Sequence, residues 1–179
     1  YFWQGLDPEK QDQLVRQLER NRNAVRFRPV VTTNQLAEIC AAGEDPPEEE
    51  RADEPGACPL LIDDLCTVYP LRPFHCRCMV SRQVCKPAGY AEMDDFTLMM
   101  NNVFLQVIEH LDTPGCTGNL LDVLELMFSP ERRNGYESGS WDCRSSGLVP
   151  NRPLTKLMIP PEYQGRMAPL LKKLQMIRI

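Results

Sequence analysis

The chain has 179 residues and a formal net charge of −5, with ordinary apolar and charged fractions of 42% and 25%. This length supports one domain with its own hydrophobic core, and the composition excludes a disordered or fibrous chain. The acidic balance excludes a general nucleic-acid binder, which would carry a basic stripe. No apolar run reaches the roughly 18–20 residues of a membrane helix. No secretory signal is visible, although the chain begins at Tyr1 rather than Met. We therefore expect neither nucleic acid nor membrane as a partner.

Two helices are predicted in the N-terminal part of the chain. The residues at 7–9, Asp-Pro-Glu, have the pattern of an N-cap, a proline at the first helical position and an acid in the first turn. The segment 27–33 is predicted to be extended. Thr33 or Asn34 then caps a short helix that ends near Cys40.

A cysteine segment at 56–90 follows a mostly acidic stretch, which we interpret as a solvated loop at 44–54. Five of the eight cysteines lie in this segment, namely Cys58, Cys66, Cys76, Cys78 and Cys85. Its four prolines exclude a long helix and favour turns and extended backbone. The segment is therefore predicted to be irregular and to lie between the N-terminal helices and a C-terminal helical part.

Helical periodicity returns after the cysteine segment. Apolar residues recur at three- and four-residue steps over 91–111, and a second helix over 120–128 is predicted to end at Ser129-Pro130. A polar loop is predicted over 130–150 and a last helix from about Pro160. The sequence thus predicts a mainly α protein with a single domain over 1–179. Its architecture is a small helical bundle with an irregular cysteine-rich metal-binding loop segment.

The clustering of the cysteines favours a metal site over disulfides, because a disulfide-stapled domain spreads its cysteines along the chain. Thiolates are soft ligands, and four of them hold either a structural zinc ion or a [4Fe–4S] cluster. The spacing matches neither the paired knuckles of a zinc ribbon nor a ferredoxin run, so both metals stay open. On the same grounds we expect a reducing, cytoplasmic location. Cys116 and Cys143, which lie far from the segment, are expected to be free thiols or small core residues.

Basic residues in the cysteine segment are expected to offset the negative charge of metal-bound thiolates and to donate hydrogen bonds to sulfur. The stronger candidates are Arg72 and Arg77, and the weaker ones are Arg82 and Lys86.

The stretch ACPLLIDDLCTVYPLRPFHCR at 57–77 resembles the signature of the YkgJ-type cysteine-cluster family, which is described as zinc- or iron-chelating. That signature has a cysteine before an apolar pair, followed by C-[ST]-[IV]-Y-x2-RP-x2-CR. The residues that fit it are Cys58, Cys66, Thr67, Val68, Tyr69, Arg72, Pro73, Cys76 and Arg77. Family members usually carry a further cysteine cluster near the N-terminus, whereas only Cys40 precedes Cys58 here, so the number of metal ions is left open.

The resemblance implies that Cys58, Cys66 and Cys76 are metal ligands. The fourth ligand is either Cys85, in the same segment, or Cys40, at the end of a helix whose C-terminal turn would aim the thiol inward.

Tyr69 also belongs to the matched signature. Its ring is expected to cover the metal site and to exclude water from it.

Three functions are consistent with these residues. The first is a metal-binding protein built around an iron–sulfur cluster or zinc, which serves an unidentified protein partner. The alternative is a thiol or electron-transfer oxidoreductase that uses Cys76-Arg77-Cys78, because an adjacent arginine lowers a thiol pKa and extended backbone would place Cys76 and Cys78 on one face. The third is a disulfide-bonded extracellular domain. The sequence contains no catalytic triad, P-loop or HExxH motif, so no catalytic residue is predicted and the question of enzymatic activity stays open.

Overall fold

The computed structural model describes residues 7–21, 26–48, 58, 60–63, 65–82 and 92–176. In these residues the prediction of a mainly α fold is confirmed, since the strands form only two-residue antiparallel pairs. The helices are α1 (Pro8–Arg20), α2 (Thr33–Ala42), α3 (Phe74–Cys78), α4 (Asp95–Leu111), α5 (Leu120–Phe128), α6 (Pro130–Glu137) and α7 (Gln164–Gln175). Strands β1 (Leu61–Ile62) and β2 (Leu65–Cys66) form one pair, and β3 (Cys116–Thr117) and β4 (Val149–Pro150) form the other. Short 3₁₀ turns lie at Tyr69–Leu71, Cys143–Ser146 and Pro161–Tyr163.

Side-chain caps begin most of the helices. The predicted cap of α1 is confirmed, because an Asp7 carboxylate oxygen accepts a hydrogen bond from the Lys10 amide at 2.9 Å. The predicted cap of α2 is one residue off. Thr32 accepts from the Gln35 amide at 3.2 Å, while Asn34 lies inside the first turn and is buried. Asn34 is thereby available for contacts with the rest of the chain.

The prediction of a polar loop over 130–150 is wrong in its first part. Ser129 caps α6, accepting a hydrogen bond from the Arg132 amide at 3.3 Å, and Pro130 occupies the first helical position. A proline ends a preceding helix but also suits the first turn of the next one. Ser129-Pro130 therefore ends α5 and begins α6.

One hydrophobic cluster joins α1 and α5 to the start of the cysteine segment. Its buried members are Leu14, Leu18, Leu60, Val68, Leu121 and Leu124, and Cys66, Leu120 and Phe128 pack at its edge. Leu60 and Val68 lie on either side of the β1–β2 hairpin. Both ends of the hairpin are consequently anchored in the core.

A second hydrophobic cluster joins α4 to α7. Met99, Val103 and Met167 are its buried members, and Phe96, Met100, Ile159, Tyr163, Leu170, Leu171 and Leu174 pack around them. Met99 and Met100 of α4 therefore belong to the core.

Polar side chains of α4 are buried beside this second cluster. Gln106 is fully buried, donates to the carbonyl of Lys156 at 2.7 Å and accepts from the amide of Met158 at 3.0 Å. Glu109 is also buried, and its carboxylate accepts from the amides of Asn34 and Arg152, each at 2.8 Å. These side chains replace the backbone partners that the extended segment 151–158 would otherwise need.

Asn34 completes the network from the first turn of α2. Its side-chain amide donates to the carbonyls of Gln106 and Arg152, at 3.1 and 2.9 Å, and its oxygen accepts from the Gln106 side chain at 3.2 Å. The network thereby joins α2, α4 and the extended segment.

The structure pairs Cys116 and Cys143 in a disulfide, with Cα atoms 6.4 Å apart. The prediction that these two residues are free thiols is therefore wrong. Cys116 lies in β3 and Cys143 in a 3₁₀ turn. The pairing of β3 with β4 and the hydrogen bond from the Leu148 amide to the Cys143 carbonyl, at 3.2 Å, bring them together.

None of the helices in the described residues has the length and apolar composition that crossing a bilayer requires.

Replacing Gln106 by Leu should lower the free energy of unfolding by about 2–4 kcal/mol, because buried Asn34 would lose a donor and the Lys156 carbonyl and Met158 amide would lose their side-chain partners. Chemical denaturation measures this difference. Asn102→Leu, at an exposed amide on the same helix, is the matched control and should change stability by no more than about 0.5 kcal/mol. Equal effects of the two substitutions would show that the buried network does not stabilise the fold.

Replacing both Cys116 and Cys143 by Ser should lower the free energy of unfolding by about 3–4 kcal/mol, since the unfolded chain regains the freedom of a 27-residue loop. Dithiothreitol should lower the stability of the unmodified protein to the level of this variant. Cys40→Ser, at an exposed free thiol, is the control and should leave the stability of the chelator-treated protein unchanged. A double variant as stable as the parent would refute the structural role of the bond.

Candidate metal centre

The β1–β2 hairpin positions two of the predicted ligands. The carbonyl of Cys58 accepts a hydrogen bond from the Leu61 amide at 3.0 Å, and Leu61 pairs with Cys66 across the hairpin. Asp63, at the tip, has a φ of 50°, a left-handed conformation that aspartate tolerates better than most residues. Cys58 and Cys66 are thus held on adjacent segments of backbone.

Thr67 fastens the hairpin to its own base and to α1. Its amide and its hydroxyl both donate to the carbonyl of Leu60, at 3.0 and 2.9 Å. The hydroxyl also lies 3.4 Å from the side-chain oxygen of buried Gln17. The residue that follows Cys66 is therefore fixed on the α1 side of the molecule.

Helix α3 positions the third predicted ligand, Cys76. Pro73 precedes the helix, and the guanidinium of Arg77 turns back to donate to the carbonyls of Arg72 and Pro70, each at 2.7 Å. These bonds close the turn from the hairpin to α3. Arg77 contacts backbone oxygens here rather than sulfur.

Contacts with α4 hold the other side of α3. The Asn101 side chain donates to the Cys78 carbonyl at 3.0 Å, and the rings of Phe74 and Phe104 lie 5.7 Å apart. Cys76 therefore sits on a short helix that is fixed at both ends.

Cys58, Cys66 and Cys76, which we call the thiol cluster, interact electrostatically. Burial raises the pKa of the Cys76 thiol, and the thiolates of Cys58 and then Cys66 raise it further. Arg72 lowers this pKa. Ionised thiols in the cluster therefore repel one another, and this repulsion is unfavourable in the absence of a cation.

Arg72 contributes a buried donor to this region. Its Nε is buried, and within the described ranges no acceptor lies within hydrogen-bonding distance of it. Its guanidinium carbon lies 3.7 Å from the centre of the Tyr69 ring, which is itself more than half exposed. Tyr69 therefore covers the arginine, while the buried Nε–H remains available to an anionic or sulfur acceptor.

The cysteine thiols have the chemistry to bind a soft metal ion, but those in the described residues are not arranged around a single ion. Among the described residues, no group of three or more His, Cys, Asp or Glu side chains is arranged to hold a metal ion. Cys85, one of the two candidates for a fourth ligand, lies outside the described residues, as does Lys86. Cys40, the other candidate, is exposed on the last turn of α2, so that turn does not aim its thiol inward as expected.

Cys78 differs from Cys76 in its direction on α3, although its thiolate also raises the pKa of Cys76. The expectation of extended backbone at these residues is wrong, because α3 is helical and residues two apart on a helix point in different directions. The Cys78 thiol donates to the His75 carbonyl at 3.2 Å, and burial raises its pKa. The oxidoreductase alternative requires a lowered pKa at this thiol.

The exposed guanidinium of Arg82 lies 3.3 Å from Asp94, the residue that caps α4. This contact joins residue 82 of the cysteine segment to the start of α4.

Sequence reasoning did not identify the residues of other helices that hold the thiol-bearing backbone in place. Gln17 and Asn101 are polar residues on the buried faces of α1 and α4. A polar residue inside an apolar helical face is a signal that could have identified them, although their partners lie 50 and 23 residues away.

No family model, curated protein or solved structure matches this chain. The resemblance of the cysteine motif stays a prediction.

The pH dependence of alkylation should report the environment of Cys76. In the reduced, metal-free protein, the midpoint for Cys76 should lie above that of an ordinary cysteine, and Arg72→Gln should move it higher because the guanidinium favours the thiolate. Peptide mass spectrometry after timed iodoacetamide treatment measures both. Arg82→Gln is the matched control and should leave the midpoint unchanged. An Arg72→Gln midpoint equal to that of the parent would show that Arg72 does not influence the cluster.

Proposed function

We propose that the chain is a metal-binding protein whose thiol cluster holds a zinc ion or an iron–sulfur cluster. The observation that carries the proposal is the interaction of the Cys76 thiol with the thiolates of Cys58 and Cys66, which adds to the burial that raises the pKa of Cys76. Three thiols that repel one another on ionisation are stabilised by a cation or a cationic cluster placed among them. This proposal also agrees with the resemblance of residues 57–77 to the YkgJ-type family.

Cys58, Cys66 and Cys76 would hold the metal, and Cys85 or Cys40 would supply the fourth thiolate. Bound zinc would supply a structural cross-link, whereas a [4Fe–4S] cluster would supply electron transfer to a partner protein. The buried Nε–H of Arg72 would donate to a thiolate sulfur, as outer-sphere residues of metal sites do. Arg77 would act indirectly, through the turn that it closes.

The cluster connects two separately anchored pieces of the chain. The hairpin is fixed to α1 and α5 through Leu60 and Val68, while α3 is fixed to α4 through Asn101. A metal bound to thiols of both pieces would cross-link them, so metal binding should stabilise the fold.

The oxidoreductase alternative has less support, since burial raises the pKa of both Cys76 and Cys78. The expected cytoplasmic location has less support. A structural disulfide such as the one between Cys116 and Cys143 is rare in a reducing compartment.

The test is to purify the protein without oxygen and to measure zinc, iron and acid-labile sulfide together with the visible spectrum. We expect either stoichiometric zinc without colour or iron and sulfide with a brown absorbance. Chelation should lower the thermal midpoint by several degrees, because metal binding contributes folding free energy.

Single serine substitutions identify the ligands. Serine at Cys58, Cys66 or Cys76 should abolish stoichiometric metal, whereas Cys78→Ser, on the same short helix as Cys76, should retain it. Comparing Cys85→Ser with Cys40→Ser identifies the fourth ligand. Absence of metal from the parent protein, or full metal content in all three of the first variants, would refute the proposal.

A further inference from the structure

A groove of about 250 Å³ lies between α1 and the corner that joins α5 to α6. Its apolar lining comes from Val15, Leu18 and Phe128. Leu18 is buried in the first hydrophobic cluster, and Phe128 packs against that cluster. Small-molecule sites are usually concave and largely apolar, with a few polar groups and volumes from about 300 Å³ upward. The groove lies just below that range, so it suits a ligand smaller than a typical drug molecule.

Charged side chains of both signs line the same groove. Glu19 of α1 and Glu125 of α5 supply carboxylates, and Arg132 of α6 supplies a guanidinium. Glu125 is held by Arg26, whose Nη2 lies 2.7 Å from its Oε1. The guanidinium carbon of Arg132 lies 5.7 Å from the centre of the Trp141 ring, a cation–π contact. Within the described residues, Glu125 and Arg132 thus have separate partners and do not neutralise each other.

The charged groups are oriented but still open to a ligand. The contact with Arg26 engages Oε1 of Glu125, and the Glu125 side chain remains 29% exposed. Glu19 is exposed on the last turn of α1. Oriented charges beside apolar surface give specificity, because a molecule that lacks the matching group leaves them without a partner.

The charges around the groove balance one another. Arg26 offsets one of the two groove carboxylates, and Arg132 offsets the other. Buried Asp122, which also pairs with Arg26, is offset by Arg28. A ligand with a single charge would disturb this balance, whereas a ligand that carries one positive and one negative group preserves it.

We propose that the groove binds a small zwitterion with an apolar side chain, of the class of the apolar α-amino acids. The ammonium group would contact Glu19 and Glu125, and the carboxylate would contact Arg132. The apolar side chain would lie on Val15 and Leu18. This inference is independent of the metal-binding proposal, because none of these residues is a candidate metal ligand.

The experiment titrates the full chain, labelled with ¹³C at the methyl groups of valine and leucine, with L-leucine and follows the methyl resonances by NMR. We expect saturable shifts at Val15 and Leu18. Isopentylamine lacks the carboxylate of leucine, and 4-methylpentanoate lacks its ammonium. Each should bind at least about tenfold more weakly, because it forfeits one charge-assisted contact. Glycine, which lacks the apolar side chain, should cause no saturable shift.

Single substitutions test the two charged contacts separately. Arg132→Gln should weaken L-leucine about tenfold and leave isopentylamine unaffected, because that probe has no carboxylate. Glu19→Gln should weaken both probes. Arg133→Gln, at the neighbouring arginine of α6, is the matched control and should change neither affinity. The methyl spectrum recorded before ligand is added shows that each variant is folded.

Four results would overturn the inference. They are the absence of saturable binding by L-leucine, equal affinities for L-leucine and glycine, shifts confined to methyl groups outside the groove, and equal affinities of Arg132→Gln and Arg133→Gln for L-leucine.

Discussion

The buried hydrogen-bond network of Gln106, Glu109 and Asn34 is the constraint on which most of the fold depends. The segment 151–158 contains no helix or strand, and several of its backbone groups have side-chain partners on other elements. Gln106 and Glu109 supply them from one turn of α4, and Asn34 supplies them from α2. The network therefore fixes α2 against α4. The segment 151–158 then continues toward α7, which packs on apolar residues of α4.

Helix α4 also links this core to the thiol cluster. Gln106 and Glu109 lie in its second half. Asn101 and Phe104, which precede them on the helix, contact α3. The hairpin that bears Cys58 and Cys66 is anchored instead to α1 and α5, through the other hydrophobic cluster. The thiols of the cluster are thus carried by two separately packed parts of the chain.

Electrostatics gives the cluster its chemical character. Burial and repulsion favour the neutral thiol at Cys76, whereas Arg72 favours the thiolate and has a buried donor that meets no acceptor within the part of the chain that the structure describes. A bound cation would reverse this balance by stabilising all of the neighbouring thiolates at once. The Cys76 thiol is therefore a poor nucleophile as long as no cation is bound.

Local signals in the sequence determined the helical class, the start of α1 at Asp7-Pro8, the long helix α4 and the concentration of thiols in one segment. Caps and periodicity act over a few residues, so they can be read without the fold. Only the tertiary structure decided that Cys116 bonds to Cys143 and that Gln106 is a core residue, because their partners lie tens of residues away. It also decided how the thiols are held, since the hairpin with Cys58 and Cys66 is anchored to α1 and α5, whereas α3 with Cys76 is anchored to α4.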